Sequence, residues 1–85
     1  MATLITADRA TKLEKVPTFK ECYALVGCSL LEVVRLNNGS ILLVDEEGAW
    51  VKDFKVNEIA SEMAGTTLVG NAVLLDKKEA KKVLG

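Results

Sequence analysis

The sequence predicts a single α+β domain over residues 1–85, with an antiparallel meander of four to five strands and two to three short helices. Two observations indicate this fold class. Aliphatic segments flank Asn38-Gly39, the strongest short-range hairpin signal, so a β-hairpin is expected there. Elsewhere, capping residues precede short segments with helical spacing of their apolar residues. A chain of 85 residues is too short for a second core, so one domain is expected.

The predicted hairpin begins a three-stranded meander in the middle of the chain. Residues 31–36 and 41–44 carry the β-branched and aliphatic side chains that favour strands. Asn38-Gly39 predicts a type I′ turn, because both central residues of that turn need positive φ and these residue types tolerate it. Residues 45–48, Asp-Glu-Glu-Gly, predict a second tight turn, after which residues 49–51 resume the strand pattern.

Three helices are predicted from their capping signals. Glu21 and Glu79 stand three residues after Thr18 and Asp76, so each pair matches the capping box, in which side chains bind each other's backbone N–H groups. The predicted N-caps and glycine ends are Thr18 and Gly27, Asn57 and Gly65, and Asp76 for the last helix. Apolar residues recur with helical spacing at Phe19, Cys22, Tyr23 and Val26, and at Ile59, Ala60, Met63 and Ala64.

Two further segments are predicted to extend the sheet. Residues 2–6 read as a first strand, and residues 8–16 as a loop or a frayed strand. Residues 66–75 read as one strand that a bulge or tight turn at Gly70-Asn71 interrupts.

The hydrophobic share of the composition predicts association between copies of the chain. That share is 49%, which is high for so small a domain with only 5% aromatic residues. Apolar surface that one short chain cannot enclose is often shared between subunits. We therefore expect a homo-oligomer, from dimer to hexamer, with ligand pockets at the subunit boundaries.

The charge and hydropathy of the chain argue against DNA or a membrane as its partner. The net charge is −1, with 11 basic and 12 acidic residues, so no overall field attracts DNA or an anionic membrane. No apolar run approaches the length of a transmembrane helix, and the N-terminal apolar run is shorter than that of a signal peptide. The expected location is the cytoplasm.

Residue types argue against catalysis, a metal site or a cofactor. The chain has no His, and Cys22 and Cys28 have a spacing that matches no zinc or redox motif, so both are expected to be buried, reduced thiols. The clustered carboxylates are Asp45, Glu46 and Glu47, which a tight turn would leave solvated. They are predicted to form turn structure, with ligand binding or a Mg²⁺ site as alternatives.

Glu32 and Arg35 are candidate ligand-binding residues on the first hairpin strand. Alternation along a strand puts them on opposite faces of the sheet, each among aliphatic residues. They are either edge charges or members of cross-strand ion pairs. In the functional alternative, Glu32 accepts hydrogen bonds from a guanine and Arg35 forks onto a phosphate or stacks on a base.

The remaining candidates follow the acidic turn. Trp50 is either a core or interface anchor or a platform for a stacked base. Asn57 is a helix cap whose helix also offers N–H groups to an anion, with Lys55 supplying charge just ahead. The lysines of the last helix are a solvated face or phosphate contacts. The predicted ligand-binding set is Glu32, Arg35, Asp45, Glu46, Glu47, Trp50, Lys55 and Asn57, with no catalytic residue.

Residues 26–75 resemble a family of small phage-encoded domains of unknown function. The resemblance is carried by LLEVVRLNNGSILLVDEEG, by Asn57 with Ala60 after it, and by the Gly70-Asn71-Ala72-Val73 segment. By analogy of size, origin and assembly with phage proteins called sponges, it implies an immune-evasion role in the host cytoplasm. A sponge binds the cyclic oligonucleotide signal of anti-phage immunity, as in CBASS systems, without cleaving it. Alternatives are a protein-binding module that inhibits a host factor through its sheet edge or apolar face, and a subunit of the phage particle or replication machinery.

Overall fold

The computed structural model describes residues 2–27, 30–46 and 55–85. Within these residues the chain forms a five-stranded antiparallel sheet and three helices, which confirms the predicted α+β class. The strands are β1 (Thr3–Ile5), β2 (Ala10–Lys12), β3 (Leu31–Arg35), β4 (Ile41–Asp45) and β5 (Ala72–Leu75). The helices are α1 (Phe19–Val26), α2 (Glu58–Ala64) and α3 (Lys77–Leu84).

The strand order is β2-β1-β5-β4-β3, so the meander prediction is wrong in its connectivity. The β3–β4 hairpin forms as predicted, but β5 occupies the other edge of β4, with Leu42 paired to Leu74. A third meander strand at residues 49–51 would need that same edge; those residues lie outside the described ranges. Turn residues in the sequence predict pairing only between strands that are adjacent in the chain. Strand β5 lies about 30 residues after β4, and it pairs with β4 because its apolar residues are buried at the centre of the sheet.

The hairpin turn also differs from the type I′ prediction. Among the described residues only glycines have positive φ, and Gly39 (φ 90°) is the one in this loop. Leu36 N donates to Ser40 O (2.9 Å) and Gly39 N donates to Leu36 O (3.2 Å), which closes a three-residue loop with one left-handed position. The Asn38 carboxamide accepts a hydrogen bond from Ser40 N (2.9 Å), which stabilises this alternative.

Helices cover both faces of the central strands. On one face, Cys22 and Val26 of α1 and Ala80 of α3 pack against alternate residues of β4 and β5. On the other face, Ala60 of α2 packs with Leu42 and Val44. Consequently all four residues from Ile41 to Val44 are buried.

The predicted apolar faces of α1 and α2 are only partly buried. On α2, Ala60 is buried, but Ile59 and Met63 keep 37% and 42% of their surface exposed. On α1, Phe19 is exposed and makes an edge-on ring contact with Tyr23, with the ring centroids 5.4 Å apart. Ala60 is therefore the one residue of α2 that is buried in the core.

Cys22 is a buried free thiol, as predicted, and burial raises its pKa. A protonated thiol is a poor nucleophile, so Cys22 acts as a small apolar core residue. Cys28 lies outside the described residues.

Both predicted capping boxes are present. Thr18 N donates to Glu21 Oε1 (2.9 Å) and Glu21 N donates to Thr18 Oγ1 (3.1 Å). Asp76 N donates to Glu79 Oε1 (3.0 Å) and Glu79 N donates to Asp76 Oδ1 (2.8 Å). The hydrogen bond from the Thr18 backbone lowers the pKa of Glu21, and the one from the Glu79 backbone lowers the pKa of Asp76.

These two lowered pKa values predict a loss of stability in acid. Each carboxylate stabilises the fold above the pKa of the unfolded chain, about 4.3 for Glu and 3.9 for Asp, and the contribution is lost as pH falls through the lowered folded pKa. We expect the melting temperature to fall between about pH 5 and pH 3. The double variant Glu21→Gln/Asp76→Asn keeps both acceptors without titrating, so its melting temperature should fall less over that range. The melting temperatures are measured by circular dichroism at each pH. An equal fall in melting temperature with pH for the wild type and the double variant would contradict this prediction.

Candidate functional site

The predicted ligand-binding residues do not converge on one site in the described part of the chain. Glu47 and Trp50 lie outside it. Three separate clefts and the core hold the other six, which are Glu32, Arg35, Asp45, Glu46, Lys55 and Asn57.

The first cleft lies between the turn of the β3–β4 hairpin and α3, and we call it the cationic cleft. Its volume is about 460 Å³. Its lining comprises the cations Arg35, Lys77 and Lys81, the apolar residues Ile41, Ala80 and Leu84, and the glycines Gly39 and Gly85. None of these described lining residues is acidic, so the cleft presents positive charge beside apolar side chains.

Local structure explains how these residues come together. Lys77, Ala80, Lys81 and Leu84 stand at positions i, i+3, i+4 and i+7, so they share one side of α3. The capping box at Asp76 defines where the helix begins and therefore which side faces the hairpin.

Arg35, the last residue of β3, pairs with Ile41 next to the hairpin turn, which brings its side chain to the same end of the sheet. The hairpin and α3 approach closely there. A Cβ added to Gly39 would lie 3.3 Å from Lys77 Cδ. From the sequence, the lysines of this helix are expected to form a solvated face or phosphate contacts. The sequence signal for the cleft is that Ala80 and Leu84 alternate with Lys77 and Lys81 on one side of the helix.

The second cleft is acidic and lies toward the other end of the hairpin. Glu32, Asp45 and Glu46 line it together with residues 67–69, and its volume is about 380 Å³. Glu32 pairs with Val44, and strand alternation puts it on the opposite face of the sheet from Arg35. The sheet therefore separates the two, and the hypothesis that Glu32 and Arg35 hold one ligand does not fit a single chain.

Lys55 lines a third cleft, also of about 380 Å³, with Thr6 and Asn71 among its neighbours. Lys55 is exposed, and its carbonyl accepts a hydrogen bond from Gly70 N (3.0 Å). This cleft shares no lining residue with the cationic cleft. Lys55 and Arg35 therefore do not act on one small ligand within a single chain.

Asn57 is the N-cap of α2, as predicted, and its own side chain is not available to a ligand. Its Oδ1 accepts from Ala60 N (3.0 Å), and its Nδ2 donates to Ile5 O and Gly70 O (both 2.9 Å). The residue is fully buried. Because the protein already occupies both ends of this carboxamide, Asn57 connects β1, α2 and the segment before β5 and is not open to a ligand.

In the described ranges, no group of three or more His, Cys, Asp or Glu side chains has an arrangement that could hold a metal ion. None of the three helices found there combines the length and apolar character needed to cross a membrane. Comparison of the chain with protein-family models, curated proteins and solved structures found no match.

Proposed function

We propose that the protein is a phage immune-evasion protein that binds and sequesters a cyclic nucleotide second messenger without cleaving it, with the cationic cleft as its ligand site. The observation that carries the proposal is the combination of Arg35, Lys77 and Lys81 with an apolar wall in one cleft. A nucleotide offers the matching surfaces, since its phosphates are anions and the faces of its bases are apolar. The phage context rests on the resemblance of residues 26–75.

Each cation has a distinct task in this proposal. The Arg35 guanidinium is planar and can donate two parallel hydrogen bonds to one phosphate, whereas Lys77 and Lys81 act as compact charges. Leu84, which is exposed, packs against a base or a sugar. All of these interactions hold the ligand; the proposal assigns no residue to bond cleavage.

The expected binding energy of a single cleft is too small for sequestration, which favours two clefts per ligand. Hydrogen bonds to charged groups contribute about 1.5 to 3 kcal/mol each. Association itself costs about 4 kcal/mol or more, so three such contacts leave at most about 5 kcal/mol, a dissociation constant of about 0.2 mM at best. Two clefts from two subunits, each holding one phosphate of a cyclic dinucleotide, would bind far more tightly. The homo-oligomer predicted from composition is therefore part of the proposal.

Removing two of the three cations should abolish most of the affinity. We expect Lys77→Ala/Lys81→Ala to weaken binding of a cyclic dinucleotide about 10⁴-fold, because each of the two clefts loses two contacts at about tenfold per contact. The matched control is Lys78→Ala/Lys82→Ala, which removes the same charge from the same helix, at positions that do not line the cleft. Its affinity should stay within about threefold of the wild type, which corresponds to about 0.6 kcal/mol. Isothermal titration calorimetry measures both.

Two outcomes would contradict the proposal. Equal losses for the two double variants would mean that only the overall charge of α3 matters. Recovery of a hydrolysed nucleotide after incubation and denaturation of the protein would mean that it is an enzyme. Arg35→Ala should behave like the Lys77→Ala/Lys81→Ala variant, with a melting temperature unchanged because Arg35 is exposed.

A second candidate function, inhibition of a host factor by direct binding, is favoured by the exposed apolar side chains near α2. Ile59 and Met63 stand four residues apart on one side of the helix, and Val56 just before it is 49% exposed. Under this candidate, Ile59→Ser/Met63→Ser would abolish capture of the host protein and no nucleotide would raise the melting temperature. Light scattering also separates the two, because the first candidate requires particles larger than the 9.2 kDa chain.

A further inference from the structure

The side chains of the cationic cleft lack the hydrogen-bond acceptors that read adenine or cytosine. Arg35, Lys77 and Lys81 only donate hydrogen bonds, and the other described side chains that line the cleft are apolar or absent. Reading the amino group of adenine or cytosine requires side chains that also accept, such as Asn, Gln, Asp or Glu, whereas guanine presents two acceptors that a single Arg can bind if it is not engaged with a phosphate. Phosphate oxygens, in contrast, are acceptors in every nucleotide.

The acceptor side chains on the hairpin lie too far from the cationic cleft to bind a base held there by the same chain. Glu32, Asp45 and Glu46 line the acidic cleft, which shares no residue with the cationic cleft. Glu32 lies three residues before Arg35, about 10 Å along β3, and on the other face of the sheet. A base held beside Arg35 is therefore remote from these carboxylates.

We infer that the cationic cleft recognises the phosphates of its ligand and not its bases, so that it accepts cyclic dinucleotides whatever bases they carry. This inference rests on the proposed function and names its ligand class: cyclic oligonucleotides with at least two phosphates. The exposed Leu84 contributes contact with any base face, since every base has one. A binder of this kind captures several signals of one chemical type with the same residues.

Calorimetric titration of the full chain with three cyclic dinucleotides tests the inference. The ligands carry two adenines, two guanines, or one of each, and adenosine serves as the ligand without phosphate. We expect the three dissociation constants to agree within about threefold, a difference of about 0.6 kcal/mol, and adenosine not to bind. Raising the salt concentration from about 0.05 to 0.5 M should weaken all three alike, because screening acts on charge and not on base identity.

The outcomes separate this inference from the proposed function. Preference for one cyclic dinucleotide by more than about tenfold, or 1.4 kcal/mol, would overturn the inference while leaving sequestration intact. A preference for guanine that disappears in Arg35→Lys would show that Arg35 reads a base edge. If none of the three binds, the proposed function is wrong and the inference falls with it. Lys77→Ala/Lys81→Ala should weaken all three by the same factor, which a merely structural role of these lysines would not produce without a lower melting temperature.

Discussion

Replacement of Asn57 by alanine is expected to lower the free energy of unfolding by about 3 kcal/mol, since it removes an N-cap and the two hydrogen bonds that the carboxamide donates. The cap accounts for about 1 kcal/mol of this. The rest arises because Ile5 O, which is buried, and Gly70 O, which is partly buried, each lose a hydrogen bond. For a domain of this size the melting temperature should fall by roughly 12 to 24 °C, as measured by circular dichroism.

Asn57→Asp distinguishes the cap from the two donor bonds. Asp is as good an N-cap as Asn, so a residue that acted only as a cap would tolerate this change. At Asn57, however, a carboxylate oxygen would face the two carbonyls that Nδ2 now binds, and a buried charge would lack a donor. We expect a loss at least as large as that of Asn57→Ala at neutral pH. Asn38→Ala, in the exposed hairpin turn, is the control and should cost less than about 1 kcal/mol. An Asn57→Asp protein as stable as the wild type would refute the role of the donor bonds.

Leu43→Ala is the second change with a large expected effect, a loss of about 2 to 5 kcal/mol. Leu43 is fully buried in the middle of β4, paired with Val33 on one side and Val73 on the other. Helix α1 covers its side chain, so little can move to fill the cavity. Urea denaturation should show a midpoint lower by about 2 M or more, with a slope near 1 kcal/mol per molar.

Two control variants separate the effect of burial from the effect of the Leu→Ala change itself. Leu30→Ala makes the same change at a residue that is 48% exposed, and should cost less than about 1 kcal/mol. Leu43→Met preserves volume and should cost less than about 1.5 kcal/mol, so it remains folded even if Leu43→Ala does not. Equal losses for Leu43→Ala and Leu30→Ala would mean that β4 is not the centre of the core.

Sequence reasoning succeeded where a few adjacent residues decide the structure. The Thr18 and Asp76 capping boxes form as predicted, and so does the left-handed end of α1 at Gly27. The β3 strand alternates as expected, with Val34 packing on one face of the sheet and Val33 on the other. Each of these features depends on backbone geometry and side chains within about four residues of each other.

The same reasoning missed the order of the strands and the composition of the cleft. The continuous apolar run of residues 41–44 is typical of a strand buried on both faces, but in isolation it equally fits half of a hairpin. The prediction grouped Glu32 with Arg35 and Lys55, which the fold distributes among three clefts. Sequence distance along one strand does not reveal which helix end will lie beside each residue.

By itself, the sequence determined the three helices with their caps, the β3–β4 hairpin and the α+β class, because short-range hydrogen bonds and the two periodicities of apolar residues depend on neighbouring positions. Only the tertiary structure decided that β5 enters between β1 and β4, that Asn57 joins three segments, and that α3 brings Lys77 and Lys81 beside Arg35. The physical reason is that burial of β4 on both faces is a property of the whole fold. It draws together segments that no local interaction connects.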